Sequence, residues 1–383
     1  MDRAILHMDL DSFFVSVERL KNAAFIGKPI IVGGNSNRGV VASCSYETRK
    51  FGVHSAMPMR MAKKLCPDAI VISGDMESYS KYSSVVSEII SSRSPVFEKR
   101  SIDEFYVDLT GMEKFFGCYK WSTEIRQRII KETGLPISFG LSINKLVSKM
   151  GTSKAKPNGQ LQIPNGEERA FIAPMSIQKI PGVGEETAAH LYSMGVKTIK
   201  TLREIPVQLL QKEFGKNGTL IWEKANAIDE SPVEPYDEQK SISTESTFHS
   251  DTTDVNFLKS ILVKQSEELA FELRKSQRLT GCITIKVRYS DFNTFTQQKK
   301  IILTASDSTL IDLAKQIFDK LYDKRVLVRM VGIRYSHLVY GNPQIDLFED
   351  TAESVRLYEA MDKIKNKYGA LAIKRAVSAV KSR

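Results

Sequence analysis

Adjacent carboxylates at Asp103 and Glu104 lie inside an apolar, β-rich run that extends from residue 101 to 108. Burying an ionised carboxylate costs free energy unless a cation compensates its charge. A flat strand would also direct these two neighbouring side chains to opposite faces, so both reach one centre only beside a bend or a turn. The pair therefore predicts either a solvated hairpin corner or one half of a metal site.

A second acidic element follows the first apolar strand, at residues 4–10. Asp9 lies at the end of this strand, and Asp11 precedes a helix that is predicted to start near Ser12. For Asp11 alone, capping of that helix is the preferred interpretation. For Asp9 metal binding is preferred, because two-metal catalysis needs acidic groups from separate elements.

Two further segments carry side chains that suit phosphate groups. Arg49 follows Tyr46 by three residues, which places both on one face of a helix. A guanidinium and a phenol on one face suit a phosphate, although for this segment alone a solvated arginine beside a half-buried tyrosine is the preferred interpretation. Lys156 precedes a strong turn signal, Pro157-Asn158-Gly159, which predicts a helix exit. A lysine fixed there is either a triphosphate anchor or a solvated cation.

A glycine hairpin opens a predicted helix within residues 174–230. Its glycines, Gly182 and Gly184, let backbone N–H groups approach a phosphate, and a helix N-terminus favours an anion. The spacing is typical of a helix-hairpin-helix motif that contacts DNA without reading its sequence. An ordinary turn between two helices is the alternative.

Two predicted strands in the C-terminal half alternate apolar with basic residues, which indicates a sheet with one buried face. The cations assigned to the other face are Lys286, Arg288, Arg329 and Arg334. Such a face could bind along a DNA backbone, but solvation explains the same pattern. In the second strand the alternation shifts at Gly332, which predicts a bulge.

The tail contains two elements after the last strand. A glutamine followed by a Leu-Phe pair, within Gln344 to Phe348, suits a groove on a partner protein. Residues 354–383 predict a helix whose seven Lys and Arg from residue 363 onwards are followed by no acidic residue. That face is predicted to be solvated or to face DNA.

Bulk composition limits the class of protein. A chain of 383 residues predicts two to four domains, and its net charge of +10 supports a polyanionic partner such as nucleic acid. The four cysteines form no Cys-x-x-Cys pair, which argues against a structural zinc site and favours a reducing compartment. No stretch predicts a membrane span or a signal peptide, so a cytoplasmic location is expected.

Four segments together resemble the Y family of translesion DNA polymerases, specifically its DNA polymerase IV branch. They are His7–Phe14, Ser43–Gly52, Ser101–Glu104 and Ala155–Gly159. The resemblance covers about residues 1–348 and implies an α+β multidomain fold of the right-hand polymerase type. Its expected parts are a palm (1–20 and 78–166), fingers (21–77), a helix-hairpin-helix thumb (167–231), a linker (232–241), an α+β little finger (242–340) and a tail (341–383).

The resemblance also implies a reaction, in which a primer 3′-OH attacks the α-phosphate of a dNTP at two Mg²⁺ ions, with low fidelity and no proofreading exonuclease. The implied metal ligands are the side chains of Asp9, Asp103 and Glu104 and the backbone carbonyl of Leu10. The implied nucleotide contacts are Tyr46, Arg49, Lys156 and Phe14, the last as the aromatic that excludes a ribose 2′-OH. The implied partners are primer-template DNA, dNTPs and a sliding clamp (β-clamp), bound by Gln344, Leu347 and Phe348, and the chain is expected to be a monomer.

Two other classes of protein remain open on the residues alone. A non-catalytic helix-hairpin-helix repair scaffold would use the glycine hairpin and the basic sheet to bind DNA without synthesis. A palm-like enzyme that makes cyclic nucleotides or oligonucleotides without a template would keep the acidic site, but the glycine hairpin and the clamp peptide argue against it.

Overall fold

The computed structural model describes residues 3–34, 36, 38–94, 96–114, 117–235, 238–322, 326–341, 351–369 and 372–378. Contacts divide the chain into two compact units, unit 1 (Met1–Asp237) and unit 2 (Glu238–Arg383). No helix within the described ranges is long and apolar enough to cross a lipid bilayer. The clamp peptide predicted at Gln344–Phe348 lies outside the described residues.

The strands in chain order are β1 (Ile5–Leu10), β2 (Ile30–Gly33), β3 (Val41–Cys44), β4 (Ile70–Ile72), β5 (Val96–Lys99), β6 (Glu104–Asp108), β7 (Ile137–Ser142), β8 (Gln160–Gln162), β9 (Ser241–Thr252), β10 (Arg278–Tyr289), β11 (Thr294–Thr304) and β12 (Val328–Tyr340). The helices are α1 (Phe13–Lys21), α2 (Tyr46–Arg49), α3 (Met59–Leu65), α4 (Met76–Ser91), α5 (Cys118–Thr133), α6 (Lys145–Ala155), α7 (Glu168–Ile172), α8 (Glu185–Ser193), α9 (Ile199–Arg203), α10 (Val207–Phe214), α11 (Lys216–Ala225), α12 (Val255–Lys275), α13 (Asp307–Leu321) and α14 (Thr351–Tyr368).

The largest sheet of unit 1 has β1 at its centre, in the order β5-β6-β1-β7-β8. Leu6, Met8 and Leu10 of β1 belong to the hydrophobic core that α4 and α5 help to form. The alternate residues face α6, where His7 bonds Thr152 through Nδ1 at 2.8 Å. Because side chains alternate along a strand, Asp9 shares the α6 side of the sheet with His7.

Two smaller parts complete unit 1. A three-stranded sheet in the order β3-β2-β4 has its own small core with α3. The helices α7 to α11 form another core, which also includes Leu146, Val147 and Met150 of α6. The side that α6 turns away from β1 therefore packs against the helical region.

Unit 2 is an antiparallel sheet in the order β11-β10-β12-β9, with α12 and α13 over one face. The predicted alternation in β10 is confirmed, since Ile283, Ile285 and Val287 are fully buried against the helices. The bulge predicted at Gly332 is wrong. Gly332 pairs in register with Lys286 and Glu245, and the register shifts lie elsewhere. The glycine instead allows close approach, because a Cβ there would come within 2.7 Å of Glu245 Cγ.

The tail differs from the prediction in two ways. The helix α14 starts at Thr351 and ends at Tyr368, and residues 372–375 that follow are not helical. Its basic residues are also not all solvated. Lys365 is buried, with its ammonium group over the Phe271 ring at 5.3 Å, whereas Arg375 stays exposed although its Nε lies 3.1 Å from Glu267 Oε1. The sequence could not show this, because both partners lie about a hundred residues earlier.

Candidate active site

Asp103 and Glu104 lie at the tight turn between β5 and β6. Ser101 Oγ organises this turn, because it donates to Asp103 Oδ1 at 2.6 Å and accepts from the backbone N–H of Glu104 at 3.1 Å. The backbone N–H of Leu10 donates to Asp103 O at 3.1 Å, and Asp9 pairs with Glu104 across the strands. The acidic pair therefore lies beside a turn, as the sequence requires if both carboxylates are to reach one centre, and next to the end of β1.

Lysines from α6 and its exit neutralise two of the three carboxylates. Lys156 Nζ lies 2.5 Å from Asp9 Oδ1, and Lys149 Nζ lies 2.7 and 2.8 Å from the two oxygens of Glu104. Burial raises the pKa of Asp9 to about 6, the Lys156 ion pair opposes this rise, and the charges of Asp103 and Glu104 add to it. Asp103 and Glu104 are therefore close enough to repel the Asp9 carboxylate.

The acidic residues fit divalent cations by the chemistry of their donor atoms. Carboxylate oxygens are the ligands that hard cations such as Mg²⁺ prefer. A cation would also relieve the charge repulsion that adds to the effect of burial on the Asp9 pKa. In the described part of the chain, no three His, Cys, Asp or Glu side chains are already gathered into a metal-binding group. The lysine ammonium groups hold two of the carboxylates instead.

A cleft of about 130 Å³ brings most of the predicted residues together. Asp9, Leu10, Phe14, Arg49, Asp103 and Lys156 line it. Small side chains, Ala42, Ser43 and Ser55, line the same cleft. Tyr46 and Glu104 do not line it, although each contacts a residue that does. These small side chains leave room for a ligand beside β3.

Phe14 has a fixed position at the start of α1. Its ring stacks on the Tyr79 ring, with 4.3 Å between centroids and an angle of 12° between planes. Tyr79 is itself held, because its hydroxyl donates to Glu18 Oε1 at 2.8 Å. Because these contacts fix the Phe14 ring, its position relative to a ligand in the cleft is also fixed.

Tyr46 and Arg49 share one face of α2, as predicted. The guanidinium of Arg49 lies 4.7 Å from the centroid of the Tyr46 ring. Ser45 caps this short helix by accepting from the backbone N–H of Thr48. Lys156 is the C-cap residue of α6, so the predicted helix exit is also confirmed.

Asp11 does not cap α1, and the sequence-based interpretation of this residue is wrong. The N-cap residue is Ser12, in a left-handed conformation that has no side-chain cap hydrogen bond. The Asp11 carboxylate instead accepts from Tyr46 Oη at 3.1 Å, Ser138 Oγ at 2.8 Å and the backbone N–H of Asn158 at 2.7 Å. These donors are distant in the sequence, so no local pattern indicated them.

The glycine hairpin forms the predicted turn before a helix. Gly182 has φ +94°, which favours glycine, and Gly184 is the N-cap of α8. Lys224 Nζ donates to Pro181 O at 2.7 Å and holds the turn against α11. Glu185 and Glu186 occupy the first turn of α8, where their charge opposes an incoming phosphate.

The four predicted DNA contacts of unit 2 differ in their surroundings. Lys286 Nζ lies 2.8 Å from Glu245 Oε1, and Arg288 Nε donates to Thr294 Oγ1 at 2.8 Å. Arg329 lies over the Phe292 ring at 4.5 Å, and Arg334 is exposed on β12. Lys286 and Arg334 lie on the sheet face that the helices leave open, since their strand neighbours point into the core.

Family models match three stretches of the chain. A model described as the impB/mucB/samB family matches residues 8–153, and one for the C-terminal domain of that family matches residues 239–347. A model described as the thumb domain of DNA polymerase-iota matches residues 178–229. A solved structure titled a Y-family DNA polymerase chimera superposes with a TM-score of 0.79 at 27% identity, covering 88% of this chain and 100% of that one.

The chain belongs to the Y family of DNA polymerases. It is therefore a DNA-directed DNA polymerase with the α+β polymerase fold, as the sequence predicted. Membership in this family implies dependence on a divalent metal, which agrees with the donor atoms at Asp9, Asp103 and Glu104.

Curated Y-family relatives resemble the chain over most of its length. A protein named DNA polymerase IV from Dehalococcoides mccartyi is 40% identical over 374 residues, covering 96% of this chain and 95% of that protein. Another of the same name from Treponema denticola is 33% identical, covering 98% and 96%. A third from Listeria innocua is 36% identical over 339 residues, covering 88% and 95%.

Proposed function

We propose that the chain carries out template-directed, translesion DNA synthesis of low fidelity, without a proofreading exonuclease, and adds dNMP to a primer 3′-OH at the cleft beside Asp9. The observation that carries the proposal is the convergence of Asp9 and the Asp103–Glu104 turn on one cleft that also contains Arg49 and Lys156. Primer-template DNA and dNTPs are the proposed substrates.

The acidic residues would hold the metal. Asp9, Asp103 and Glu104 provide carboxylate oxygens and Leu10 provides its carbonyl for two Mg²⁺. When bound there, the metal ions supply Lewis acidity that activates the 3′-OH and stabilises the leaving pyrophosphate. Lys156 must leave Asp9 for this carboxylate to bind a cation, so we propose that its ammonium group moves to a phosphate of the incoming nucleotide.

The other residues bind, orient and select the nucleotide. Arg49 and Lys156 place two cations against the β- and γ-phosphates, with Tyr46 beside Arg49. Phe14 lies against the sugar and excludes a 2′-OH by its bulk. Charge neutralisation by fixed groups stabilises the transition state more than flexible groups would.

DNA contacts are proposed in both units. The N–H groups at Gly182 and Gly184 approach a backbone phosphate, and the basic residues Lys286, Arg288, Arg329 and Arg334 contact the DNA backbone. The palm, fingers, thumb and little finger are proposed to have the boundaries that the family resemblance implies. The chain acts as a monomer, and Gln344, Leu347 and Phe348 bind a sliding clamp. Deleting Leu347 and Phe348 should reduce processivity only when a clamp is present.

Primer extension tests the proposed function. The wild-type chain should extend a primer with Mg²⁺ and a template, and should make no product without the template. Asp103→Ala and Glu104→Ala should lose extension by at least about a thousandfold but keep DNA binding, because only the metal ligands are removed.

Asp108→Asn is the matched control for this experiment. Asp108 lies at the opposite end of β6 and accepts from the backbone N–H of Thr110 at 2.9 Å. This variant should extend normally. Wild-type rates in Asp103→Ala and Glu104→Ala would contradict the site, and DNA binding without any synthesis by the wild type would favour the repair scaffold.

A further inference from the structure

Asp11 joins three elements that lie far apart in the sequence. The residue is only 2% exposed, and its carboxylate accepts hydrogen bonds from Tyr46 on α2, Ser138 on β7 and the backbone of Asn158 after α6. Oδ1 accepts from Tyr46, and Oδ2 accepts from the other two. A buried carboxylate needs several donors, and three from separate elements tie those elements together.

The loop after α6 is also held from its other side. Arg126 Nη2 donates to Asn158 O at 2.7 Å and to Asn158 Oδ1 at 2.6 Å. Ser138 Oγ, which donates to Asp11, also accepts from the backbone N–H of Gly159 at 3.1 Å. This loop begins at Lys156, so its position determines where the Lys156 ammonium group can reach.

Asp11 does not line the cleft, although Arg49 and Lys156 do. The hydrogen bonds of Asp11 therefore hold α2 and the loop that begins at Lys156 from outside the cleft. On one side Tyr46 is part of the same helix as Arg49. On the other side Asn158 is two residues after Lys156. A triphosphate that binds both cations needs them at a fixed separation.

We propose that Asp11 is a positioning residue for the incoming nucleotide, because it fixes α2 and the Lys156 loop at the separation that a nucleoside triphosphate requires. This inference rests on the proposed function. It makes triphosphate affinity depend on a buried aspartate that does not contact the ligand.

Three substitutions test this role. Asp11→Asn keeps the volume of the side chain but replaces one acceptor oxygen with an NH2 group. This group cannot accept a hydrogen bond. Tyr46→Phe removes only the hydrogen bond to Asp11, and Ser138→Ala removes that to Asp11 and the one accepted from the Gly159 N–H. Both preserve packing, so they remain informative if Asp11→Asn folds poorly. In all three, KM for dNTP should rise, by about tenfold or more in Asp11→Asn, while kcat falls less and DNA affinity is unchanged.

A binding measurement separates positioning from loss of stability. Affinity for a non-hydrolysable dNTP analogue is measured on the complex with a dideoxy-terminated primer, together with the unfolding midpoint. Asp307→Asn is the matched control, since Asp307 is a fully buried carboxylate bound by Arg274 in unit 2. It should lower stability and leave analogue affinity unchanged. The loss of binding in the double variant Asp11→Asn/Tyr46→Phe should be smaller than the sum of the two single losses, because both substitutions act on the same hydrogen bond.

Wild-type analogue affinity in both Asp11→Asn and Ser138→Ala would overturn the inference. So would an equal loss of affinity in Asp307→Asn. These results leave primer extension by the wild type intact, and the proposed function would stand. A wild-type chain that does not extend a primer would overturn the proposed function, whatever the analogue measurement shows.

Discussion

At the scale of single residues, Asp9 is held in a state that costs stability. Its carboxyl is largely buried near Asp103 and Glu104, which raises its pKa to about 6. A raised carboxyl pKa means that the folded protein binds the proton more tightly than the unfolded chain does. The stability from this proton is complete below the ordinary pKa near 3.8 and is lost as pH rises through about 6.

Asp9→Asn should therefore stabilise the metal-free protein at pH 8, by roughly 1–3 kcal/mol, and should not do so at pH 4. Unfolding is followed in EDTA by tryptophan fluorescence, which reports on unit 1 because both tryptophans, Trp121 and Trp222, lie there. Asp108→Asn, at the far end of β6, is the control. An Asp9→Asn protein that is less stable than wild type at pH 8 would contradict the prediction.

Phe14→Ala should admit ribonucleotides. Removing the ring opens space where a 2′-OH would lie, and discrimination against NTPs should fall by at least about tenfold if Phe14 selects the sugar by steric exclusion, as proposed. The measurement is kcat/KM for dNTP against NTP. Tyr79→Phe is the control, because it keeps the ring that stacks on Phe14 and removes only the hydroxyl. Unchanged sugar selectivity in Phe14→Ala would reject Phe14 as the selecting residue.

At the scale of elements, the sequence predicted the features that depend on residues close together in the chain. The hairpin turn at Asp103, the shared face of Tyr46 and Arg49, and the helix exit at Lys156 all follow from neighbours within a few residues. The role of Asp11 does not, because its partners are 35, 127 and 147 residues away. Local capping preference was the only signal at Asp11, and tertiary hydrogen bonds overrode it.

Helix α14 is the other element that the sequence described poorly. Arg274 on α12 binds Asp362 of α14 through Nε at 2.6 Å and Nη2 at 2.9 Å, and binds Asp307 of α13 at 2.5 Å. Tyr358 of α14 lies under the Arg274 guanidinium and accepts from the backbone N–H of Ser308. These partly buried contacts attach α14 to two helices of unit 2.

Asp362→Ala should loosen unit 2, by about 1–3 kcal/mol, because Arg274 keeps its charge but loses a bidentate partner. Hydrogen exchange on the full chain should show faster exchange in α12 and α13, with unit 1 unaffected. Glu359→Ala removes an exposed carboxylate from the same helix and should change nothing. Wild-type exchange in Asp362→Ala would mean that the contact between Asp362 and Arg274 contributes no stability.

At the scale of the whole molecule, catalysis and much of the positive charge belong to different units. Every residue proposed to bind metal or nucleotide lies in unit 1. Unit 2 has a separate hydrophobic core, with members only from residue 242 onwards, and carries more than half of the net charge of +10. The boundary between the two units falls after Asp237, within residues 232–241, which the sequence analysis assigned to a linker.

A fragment of residues 1–237 should therefore retain templated extension at saturating DNA and bind DNA less tightly than the full chain. Each phosphate that unit 2 neutralises should make the plot of log affinity against log salt steeper by about 0.9, so the fragment should give the shallower slope. Anisotropy of labelled primer-template from about 50 to 300 mM salt measures this slope. The full chain with Lys286→Ser and Arg334→Ser is the matched variant, because it removes charge and keeps unit 2. The double variant should reproduce part of the change in slope. A fragment with the slope and affinity of the full chain would instead show that unit 2 binds no phosphate.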